Sequence, residues 1–474
     1  MRTRQEIIPR RSVRQSSSLA VGVYGSTLAS SFFRDAVNGA DSLDVVTIGD
    51  SNAGYSYGGF GGGGGGWTRG ILRGLNNAGA PTYGSGMAPI MHTGVTTTTQ
   101  ILKEDDGTTI TTYLGYAKNT EAPTGNLLRG GASGPAAVTA IAVPATTLLP
   151  YGLTNFDYGW VAAATTYNSF GQLNFTYPAG AAPSPALPSW CDAGTALKYR
   201  TVYARTNTAG GTINPTIYRV LSGVYTSLAT TSASTYNAAG TDIQTKDLDF
   251  VMPTTVPASA IIFGWAYIGI ATGPAGALLD SVYKVAKGIS VHNLHYGSGQ
   301  TSTVIAAAIS GCNASKTFLE NYFKQIVDRQ IAAGGTGRVL IKINCGVNDS
   351  GSPASSTITS AFNAMINTLK TAWLAAGYIA NNLCFVCSVS HPLDTDFGDG
   401  GTREATLATY RAAANSWANT VQNVTVVDLS QIYTAAQMTA SGYYAGTAAA
   451  EAHLSQAGYF AFGQQIVSKI LASG

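Results

Sequence analysis

The sequence predicts an α/β fold, a doubly wound parallel sheet with helices on both faces, interrupted by a large inserted β domain. Two observations lead to this prediction. From residue 303 to residue 474, apolar strand patterns alternate with amphipathic helix patterns over short connections, which is typical of parallel strands joined by helices. The first strand pattern, residues 45–48, is separated from the next, residues 289–294, by a long region rich in strand-forming residues.

The first strand pattern leads into a glycine-rich loop. Ser51 lies in the turn after residues 45–48, and residues 61–66 are six consecutive glycines. A phosphate-binding loop would continue with Gly-Lys-Ser or Gly-Lys-Thr, whereas here a helix pattern begins at Trp67. The glycines therefore predict a mobile lip beside the turn of Ser51 and no phosphate site.

The inserted region, residues 81–285, is predicted to contain a β-sandwich of jelly-roll type, mainly over residues 150–283. Its strand patterns carry Tyr, Phe, Trp, Val and Thr and are separated by Gly, Pro, Asn and Ser turns. Exposed aromatic rings in such a domain could stack on sugar rings, although most aromatics of this kind belong to the core. The patterns cover residues 156–161, 173–177, 199–204, 217–221, 248–252 and 261–270.

The alternating region supplies the rest of the sheet. Strand patterns at residues 339–344, 383–389 and 424–429 are buried on both faces, as in a parallel sheet covered by helices. The intervening and closing helix patterns cover residues 318–331, 358–374, 407–421 and 455–471. With residues 41–80, residues 286–474 are predicted to form one discontinuous α/β domain.

Composition limits the classes of function. Of the 474 residues, 45% are hydrophobic and 11% are charged, and 56 are glycine, a balance common in β-rich extracellular and virion proteins. A net charge of +3 is too small for nucleic-acid binding across the surface. No run of 18 apolar residues occurs, so no membrane-spanning helix is expected.

The five cysteines do not suggest a disulfide framework in a chain of this length. Cys384 and Cys387 form a C-x-x-C pair, a pattern found in redox and zinc sites. They lie within the apolar strand pattern 383–389, and no second Cys or His pair has matching spacing. Buried thiols are therefore predicted, with no metal and no cofactor.

Residues 1–40 are predicted to be a basic N-terminal arm. Five arginines and a single acid occur within residues 1–14. The following segment lacks the continuous apolar run of a secretory signal peptide. The arm is expected either to pack on its own protomer or an oligomer mate, or to dock into a larger assembly.

Polar blocks follow three of the predicted strands, and a fourth opens the last helix. They are residues 49–52 (Gly-Asp-Ser-Asn), 298–301 (Ser-Gly-Gln-Thr), 346–349 (Gly-Val-Asn-Asp) and 453–455 (His-Leu-Ser). The carboxyl ends of parallel strands meet at one edge of a sheet, where α/β proteins place their chemistry. A serine hydroxyl is a weak nucleophile until a base removes its proton, and His is the usual base near neutral pH.

Together, the four blocks resemble the SGNH (GDSL-type) hydrolase family, which is named for the Ser, Gly, Asn and His that they contain. The resemblance implies a flavodoxin-like three-layer fold and a serine esterase. It assigns Ser51 as nucleophile, His453 as base, and the N–H groups of Ser51 and Gly299 with the Asn348 amide as the oxyanion hole. Gly297, two residues before Gly299, could fill the same role.

The sequence departs from the family pattern at the catalytic acid. The family carries an Asp three residues before the His, and here that position is Ala450. Glu451, one position later, is a candidate replacement, and a backbone carbonyl that orients His453 is an alternative. A degenerate site on a retained scaffold is a third possibility.

The resemblance extends to carbohydrate O-acetylesterases, including those of bacteriophage tails. It implies removal of acetyl groups from a surface polysaccharide, with an acetylated glycan and other virion proteins as partners. A homo-oligomer on a virion or otherwise outside the cell is expected, made in the cytoplasm without a cleaved signal peptide. The alternatives are a virion tail-fibre or spike protein with a dead esterase site, and a carbohydrate-binding protein.

Overall fold

The fold is known from a computed structural model of the chain. The structure describes residues 20–53, 66–84, 193–205, 211–221, 224–240, 242–254, 261–270, 275–295, 300–307, 309, 317–351, 355–393, 400–444 and 452–474. It also describes short strands within residues 88–176.

The strands and helices follow one another along the chain as follows. The strands are β1 (Val23–Gly25), β2 (Leu43–Gly49), β3 (Ala88–Pro89), β4 (Leu102–Lys103), β5 (Thr109–Ile110), β6 (Tyr113–Leu114), β7 (Trp160–Ala162), β8 (Leu173–Thr176), β9 (Ala196–Arg205), β10 (Gly211–Leu221), β11 (Val224–Thr230), β12 (Ala233–Ser234), β13 (Asp242–Val251), β14 (Ile261–Ile270), β15 (Ala275–Tyr283), β16 (Ile289–His295), β17 (Val339–Cys345), β18 (Leu383–Val389) and β19 (Val424–Val427). The helices are α1 (Leu28–Val37), α2 (Gly66–Asn77), α3 (Thr317–Ala332), α4 (Ser355–Ala375), α5 (Thr402–Ala418), α6 (Ala435–Ala440) and α7 (Gln456–Ala472).

A six-stranded sheet in the order β1-β19-β18-β17-β2-β16 forms the centre of the α/β part. All of its strands except β1 pair in parallel, and β1 pairs antiparallel with β19 at one edge. Numbered by their appearance in the chain, the parallel strands have the order 2-1-3-4-5, which is that of flavodoxin-like sheets. The expected α/β fold with a parallel sheet is therefore present, with one antiparallel edge strand added.

Helices cover both faces of this sheet. The side chains of β17 and β18 alternate between two apolar cores, because successive residues of a strand point to opposite faces. One core contains Ile341, Phe385 and residues of α3, α4 and α5. The other contains Leu340, Val386 and residues of α1, α2 and α7. Three layers result, as the alternating patterns predict.

Residues 20–40, assigned to the arm from the sequence, contribute β1 and α1 to this fold. Phe32 and Phe33 of α1 are buried in the second core, and Val23 of β1 pairs with Val427 of β19. The helix has only ten residues, Leu-Ala-Ser-Ser-Phe-Phe-Arg-Asp-Ala-Val, so the sequence shows its apolar periodicity over a short stretch only. Residues 1–19 lie outside the described residues.

Antiparallel strands make up the described part of the inserted region. One sheet has the order β11-β10-β14-β8-β6, with β12 beside β10, and another has the order β13-β9-β15-β3, with β7 beside β15. The strand patterns predicted at residues 199–204, 217–221 and 261–270 lie within these strands, and the pattern at residues 248–252 overlaps β13, which ends at Val251. The jelly-roll sandwich and the domain boundaries stay predictions.

A buried carboxylate joins the first strand of the parallel sheet to its neighbours. Asp44, near the start of β2, is fully buried and accepts hydrogen bonds from Tyr83 Oη (2.8 Å), His292 Nε2 (2.6 Å), Arg329 Nη2 (2.8 Å) and Gln330 Nε2 (2.6 Å). Burial raises the pKa of Asp44, but the hydrogen bond from His292 and the charge of Arg329 outweigh it and leave the pKa below its ordinary value. The carboxylate is therefore held in its charged form.

The same cluster reaches the antiparallel strands. The Arg329 guanidinium lies over the rings of Tyr83 and Tyr283, at 5.1 and 5.9 Å from their centroids. Arg200 of β9 makes a two-bonded ion pair with Asp247 of β13 at 2.7 and 2.8 Å, and the Tyr283 hydroxyl donates to the same carboxylate. Charged groups thus connect α3 with strands β9, β13 and β15.

Among the helices that the structure describes, none combines the length and the apolar character needed to cross a membrane.

Asp44→Asn should lower the free energy of unfolding by about 3–5 kcal/mol, because it leaves the buried Arg329 guanidinium without its carboxylate. Urea denaturation at pH 7 measures this loss. The control is Asp249→Asn, whose carboxylate is 79% exposed and pairs with Lys198 at the surface; its effect should stay within about 0.5 kcal/mol. Equal effects of the two substitutions would contradict this account.

Candidate active site

The turns after β2 and β17 lie side by side at the carboxyl edge of the parallel sheet. The two strands are neighbours, with Asn344 opposite Gly49. Each ends in a 3₁₀ turn, Ser51–Ala53 after β2 and Val347–Asp349 after β17. In the order 2-1-3-4-5 these are strands 1 and 3, and open α/β sheets bind ligands at this switch in strand order. The blocks of Ser51 and Asn348 therefore meet at the usual site position.

Backbone geometry explains the glycines of both blocks. Gly346 has a φ of +116°, a left-handed conformation that residues with a side chain rarely adopt. Gly49 has another reason, since a Cβ there would overlap the Asn344 carbonyl oxygen of the neighbouring strand. Both glycines therefore allow the two polar turns to form next to each other.

Asp50 orders the turn of Ser51. Its Oδ1 accepts a hydrogen bond from the Asn52 N–H at 2.9 Å, and both residues are fully buried. Burial raises the pKa of Asp50 to about 7, opposed by hydrogen bonds from Asn52 and reinforced by the nearby charge of Asp349. Within the described part of the chain, Asp50 Oδ2 has no hydrogen-bond partner.

The turn of Ser51 is also bonded to the last helix. The Tyr459 hydroxyl of α7 donates to Asn52 Oδ1 at 2.7 Å. The Tyr459 ring contacts Trp67 of α2 edge-on, at 5.5 Å between centroids. Because α7 begins three residues after His453, this hydrogen bond connects the Ser block with the helix that follows the His block.

Asp349 ties the third block to the second. Its carboxylate accepts the Thr301 backbone N–H at 3.0 and 3.1 Å and the Thr301 hydroxyl at 2.5 Å. Thr301 opens a π-helical turn, Thr301–Ile305, and is buried. This contact fixes the end of residues 298–301 beside the turn that contains Asn348, which is itself half-buried.

His453 lies in a short turn before α7 and is half-buried. Ser455 caps the helix, since its hydroxyl accepts the Gly458 N–H at 3.2 Å. The Ser455 N–H donates to the Tyr443 carbonyl at 2.7 Å, and Leu454 pairs with Tyr444 in an isolated antiparallel bridge. The His turn is thus held to residues 443–444.

A second histidine lies close to the site. His391 follows β18, is fully buried, and contacts the rings of Trp67, Tyr444 and Phe462 at centroid distances of 6.2 to 6.5 Å. Burial, the charge of Arg411 and that of His453 lower the pKa of His391 to about 3. The His391 ring is therefore neutral near pH 7.

Buried polar side chains of β17 and β18 form hydrogen bonds near this edge of the sheet. Lys342 Nζ donates to Ser388 Oγ and, at 3.2 Å, to the Ile343 carbonyl, and Ser388 Oγ donates to Asn344 Oδ1 at 2.6 Å. Burial lowers the pKa of Lys342 to about 8. The chain of bonds ends beside Gly49, next to the Ser block.

Of the site residues predicted from sequence, the structure describes Ser51, Asn348 and His453. Ser51 and Asn348 lie in the turns after the neighbouring strands β2 and β17, and His453 lies in the turn before α7. Their catalytic roles stay predictions. Gly299, its alternative Gly297, Glu451 and Ala450 lie outside the described residues, so the second oxyanion donor and the acid stay predictions.

Sequence reasoning missed His391, Tyr444 and Tyr459. His391 lies two residues after the strand pattern 383–389, so its place after a buried strand is the signal that could have found it. Tyr444 and Tyr459 carry no such signal, because an aromatic residue in a turn or an amphipathic helix is most often part of the core.

The described cysteines are buried thiols, as expected. Cys384 faces the core of α1, α2 and α7, and Cys387 faces the opposite core, so the C-x-x-C pair does not converge on one point. Burial raises the pKa of Cys387 to about 12 and that of Cys384 well above its ordinary value. No group of three or more metal-ligating side chains occurs in the described ranges.

Comparison with known families agrees with this geometry. Residues 283–461 match the model of the GDSL-like lipase/acylhydrolase family. The matched segment contains Asn348 and His453, whereas Ser51 lies outside it. No curated protein sequence matches the chain.

Several solved esterase structures are similar at low identity. A peptidoglycan O-acetylesterase is 10% identical with a TM-score of 0.45, and 94% of this chain and 96% of that one are covered. Est24, a carbohydrate acetylesterase from Sinorhizobium meliloti, is 14% identical with a TM-score of 0.26, covering 40% and 80%. A family two carbohydrate esterase from Clostridium thermocellum is 11% identical with a TM-score of 0.26, covering 66% and 94%.

Asp50→Asn should flatten the pH dependence of stability between about pH 4 and pH 7. The folded chain holds the Asp50 proton more tightly than the unfolded chain, whose pKa is near 3.8. The stability from this group is therefore fully present below pH 4 and is lost as the pH rises through about 7. The neutral amide removes this loss, which amounts to up to roughly 4 kcal/mol.

Urea denaturation of both proteins from pH 4 to pH 8 measures the difference. The variant should gain stability relative to wild type as the pH rises. A difference that stays constant over this range would contradict the raised pKa of Asp50.

Proposed function

We propose that the protein is a serine esterase of the SGNH type that removes O-acetyl groups from a polysaccharide or other glycan. One observation supports it above the others. The turns of Ser51 and Asn348 adjoin at the switch point of a 2-1-3-4-5 sheet, and the helix that follows His453 is bonded to the Ser51 turn through Tyr459 and Asn52. The GDSL-like segment at residues 283–461 agrees with this proposal.

In the proposed mechanism, Ser51 Oγ attacks the ester carbonyl while His453 takes its proton. The tetrahedral intermediate carries an oxyanion, which the N–H groups of Ser51 and Gly299 and the side-chain amide of Asn348 stabilise. His453 then returns the proton to the leaving sugar hydroxyl. Water hydrolyses the acetyl-enzyme by the same steps, releasing acetate and restoring Ser51.

Two groups are candidates to orient His453 in place of the usual Asp. The carboxylate of Glu451 would stabilise the imidazolium of His453 as Asp does in the usual triad. Alternatively, a backbone carbonyl holds the imidazole tautomer without adding charge. Glu451→Gln separates the two, because it removes the negative charge and leaves the backbone in place.

The proposed substrate rests on the form of the site. No long apolar segment that could act as a lipid-covering lid occurs between the blocks. A small acyl group on a polar polymer fits such a site better than a long acyl chain. The inserted antiparallel strands are proposed to contact the glycan, and the basic arm to dock the protein on a virion or other assembly. A scaffold with a degenerate site that only binds glycan is the alternative.

Ser51→Ala should abolish acetate release from acetylated glycans and cleavage of p-nitrophenyl acetate, because no nucleophile remains. Acetate is measured by an enzyme-coupled assay, and folding by circular dichroism and thermal unfolding. Ser441→Ala, an exposed serine after α6, is the control and should retain full activity.

The two proposed functions give different results in this experiment. Activity in a correctly folded Ser51→Ala protein would exclude the mechanism. A wild-type protein that binds acetylated glycan without releasing acetate would support the degenerate binding scaffold instead.

Asn348→Ala should lower kcat by roughly a hundredfold or more, because it removes one donor to the oxyanion. The Michaelis constant should change much less, since the interaction strengthens only as charge develops. Asn348→Asp keeps the shape but replaces the donor with a negative acceptor, and it should be at least as damaging. If only the Michaelis constant changed, Asn348 would bind the substrate and not the transition state.

A further inference from the structure

The turn after β18 is held on several sides. The Ser390 N–H donates to the Cys345 carbonyl at 3.0 Å, and Arg411 Nε donates to the Ser390 carbonyl at 3.0 Å. Glu404 accepts the Leu393 N–H at 2.7 Å and pairs with the same Arg411 at 2.6 Å. Residues 390–393 are therefore a rigid reference point at the carboxyl edge of the sheet.

Tyr444 connects this rigid turn to the turn of His453. Its hydroxyl donates to the Pro392 carbonyl at 2.8 Å, and its backbone pairs with Leu454, the residue after His453. Its ring lies 6.2 Å from the ring of His391 between centroids. One side chain and its own backbone thus join the two turns.

The neighbouring His391 does not compete with His453 for a proton. Its ring is fully buried among Trp67, Tyr444 and Phe462, and its lowered pKa keeps it neutral. The Tyr444 ring therefore packs against an uncharged aromatic surface. A charged ring here would repel the imidazolium that His453 forms during catalysis.

We propose that Tyr444 is a positioning residue for His453, fixing the turn that carries the base to the rigid turn at residues 390–393. This inference rests on the proposed function, because it assumes that His453 acts as the base. It gives the site a means of holding the histidine that does not depend on an acid at position 450. A small displacement of a catalytic group is enough to lower a rate strongly.

Tyr444→Phe removes only the hydroxyl that binds Pro392. We expect kcat for p-nitrophenyl acetate to fall roughly tenfold while the Michaelis constant changes less than about twofold. The matched control is Tyr443→Phe, whose ring packs against Tyr433 at 5.3 Å and whose hydroxyl bonds with Tyr433. The control should leave kcat unchanged.

A second readout is independent of activity. Long-range ¹H–¹⁵N spectra of protein with ¹⁵N-labelled histidine report the tautomer of each ring, and His453→Gln identifies the His453 signals. Wild type and Tyr443→Phe should show one dominant tautomer of His453. Tyr444→Phe should show shifts averaged between the two tautomers, with thermal stability close to that of the control.

The outcomes separate the two proposals. A wild-type protein without esterase activity, but with the expected change of His453 tautomer in Tyr444→Phe, would overturn the proposed function and support the positioning role. Unchanged His453 signals in Tyr444→Phe would overturn the positioning role, whether kcat stayed constant or fell together with thermal stability.

Discussion

The buried charge of Asp44 is the constraint on which the arrangement of this molecule depends. A carboxylate without water costs several kcal/mol unless donors surround it. Here the donors come from β16, from α3 and from Tyr83. Because β2 begins at this cluster and ends two residues before Ser51, the contacts that satisfy Asp44 also fix the strand that leads to the block of residues 49–52. Arg329 and Tyr283 extend the same constraint to the antiparallel strands.

The carboxyl edge of the sheet, at the other end of β2 from Asp44, pairs its buried polar groups less completely. At the carboxyl edge, polar groups are buried with fewer partners, as the raised pKa of Asp50 and the lowered pKa of His391 show. Such groups reduce stability, and proteins commonly retain them at functional sites. The stable end of β2 therefore supports the carboxyl edge, where Asp50 and His391 are buried with shifted pKa values.

Three contacts join the polar blocks, or the segments next to them, to distant parts of the chain, and none of them involves Ser51, Gly299, Asn348 or His453. Thr301 binds Asp349, Tyr459 of α7 binds Asn52, and Tyr444 binds Pro392. The proposed serine esterase would need its nucleophile, base and oxyanion donors fixed within a fraction of an ångström, and these contacts would contribute to that fixation from separate elements.

The sequence by itself determined the parallel strands, the main helices and the blocks of Ser51, Asn348 and His453. Buried strands are continuous apolar runs, and polar residues directly after them stand out. Only the tertiary structure decided that β1 joins the sheet and α1 packs on it, that Asp44 is a buried ionic centre, and that His391 packs on Tyr444, which pairs with the residue after His453. These features depend on contacts between residues far apart in the chain, such as Asp44 and Arg329, which local patterns do not encode.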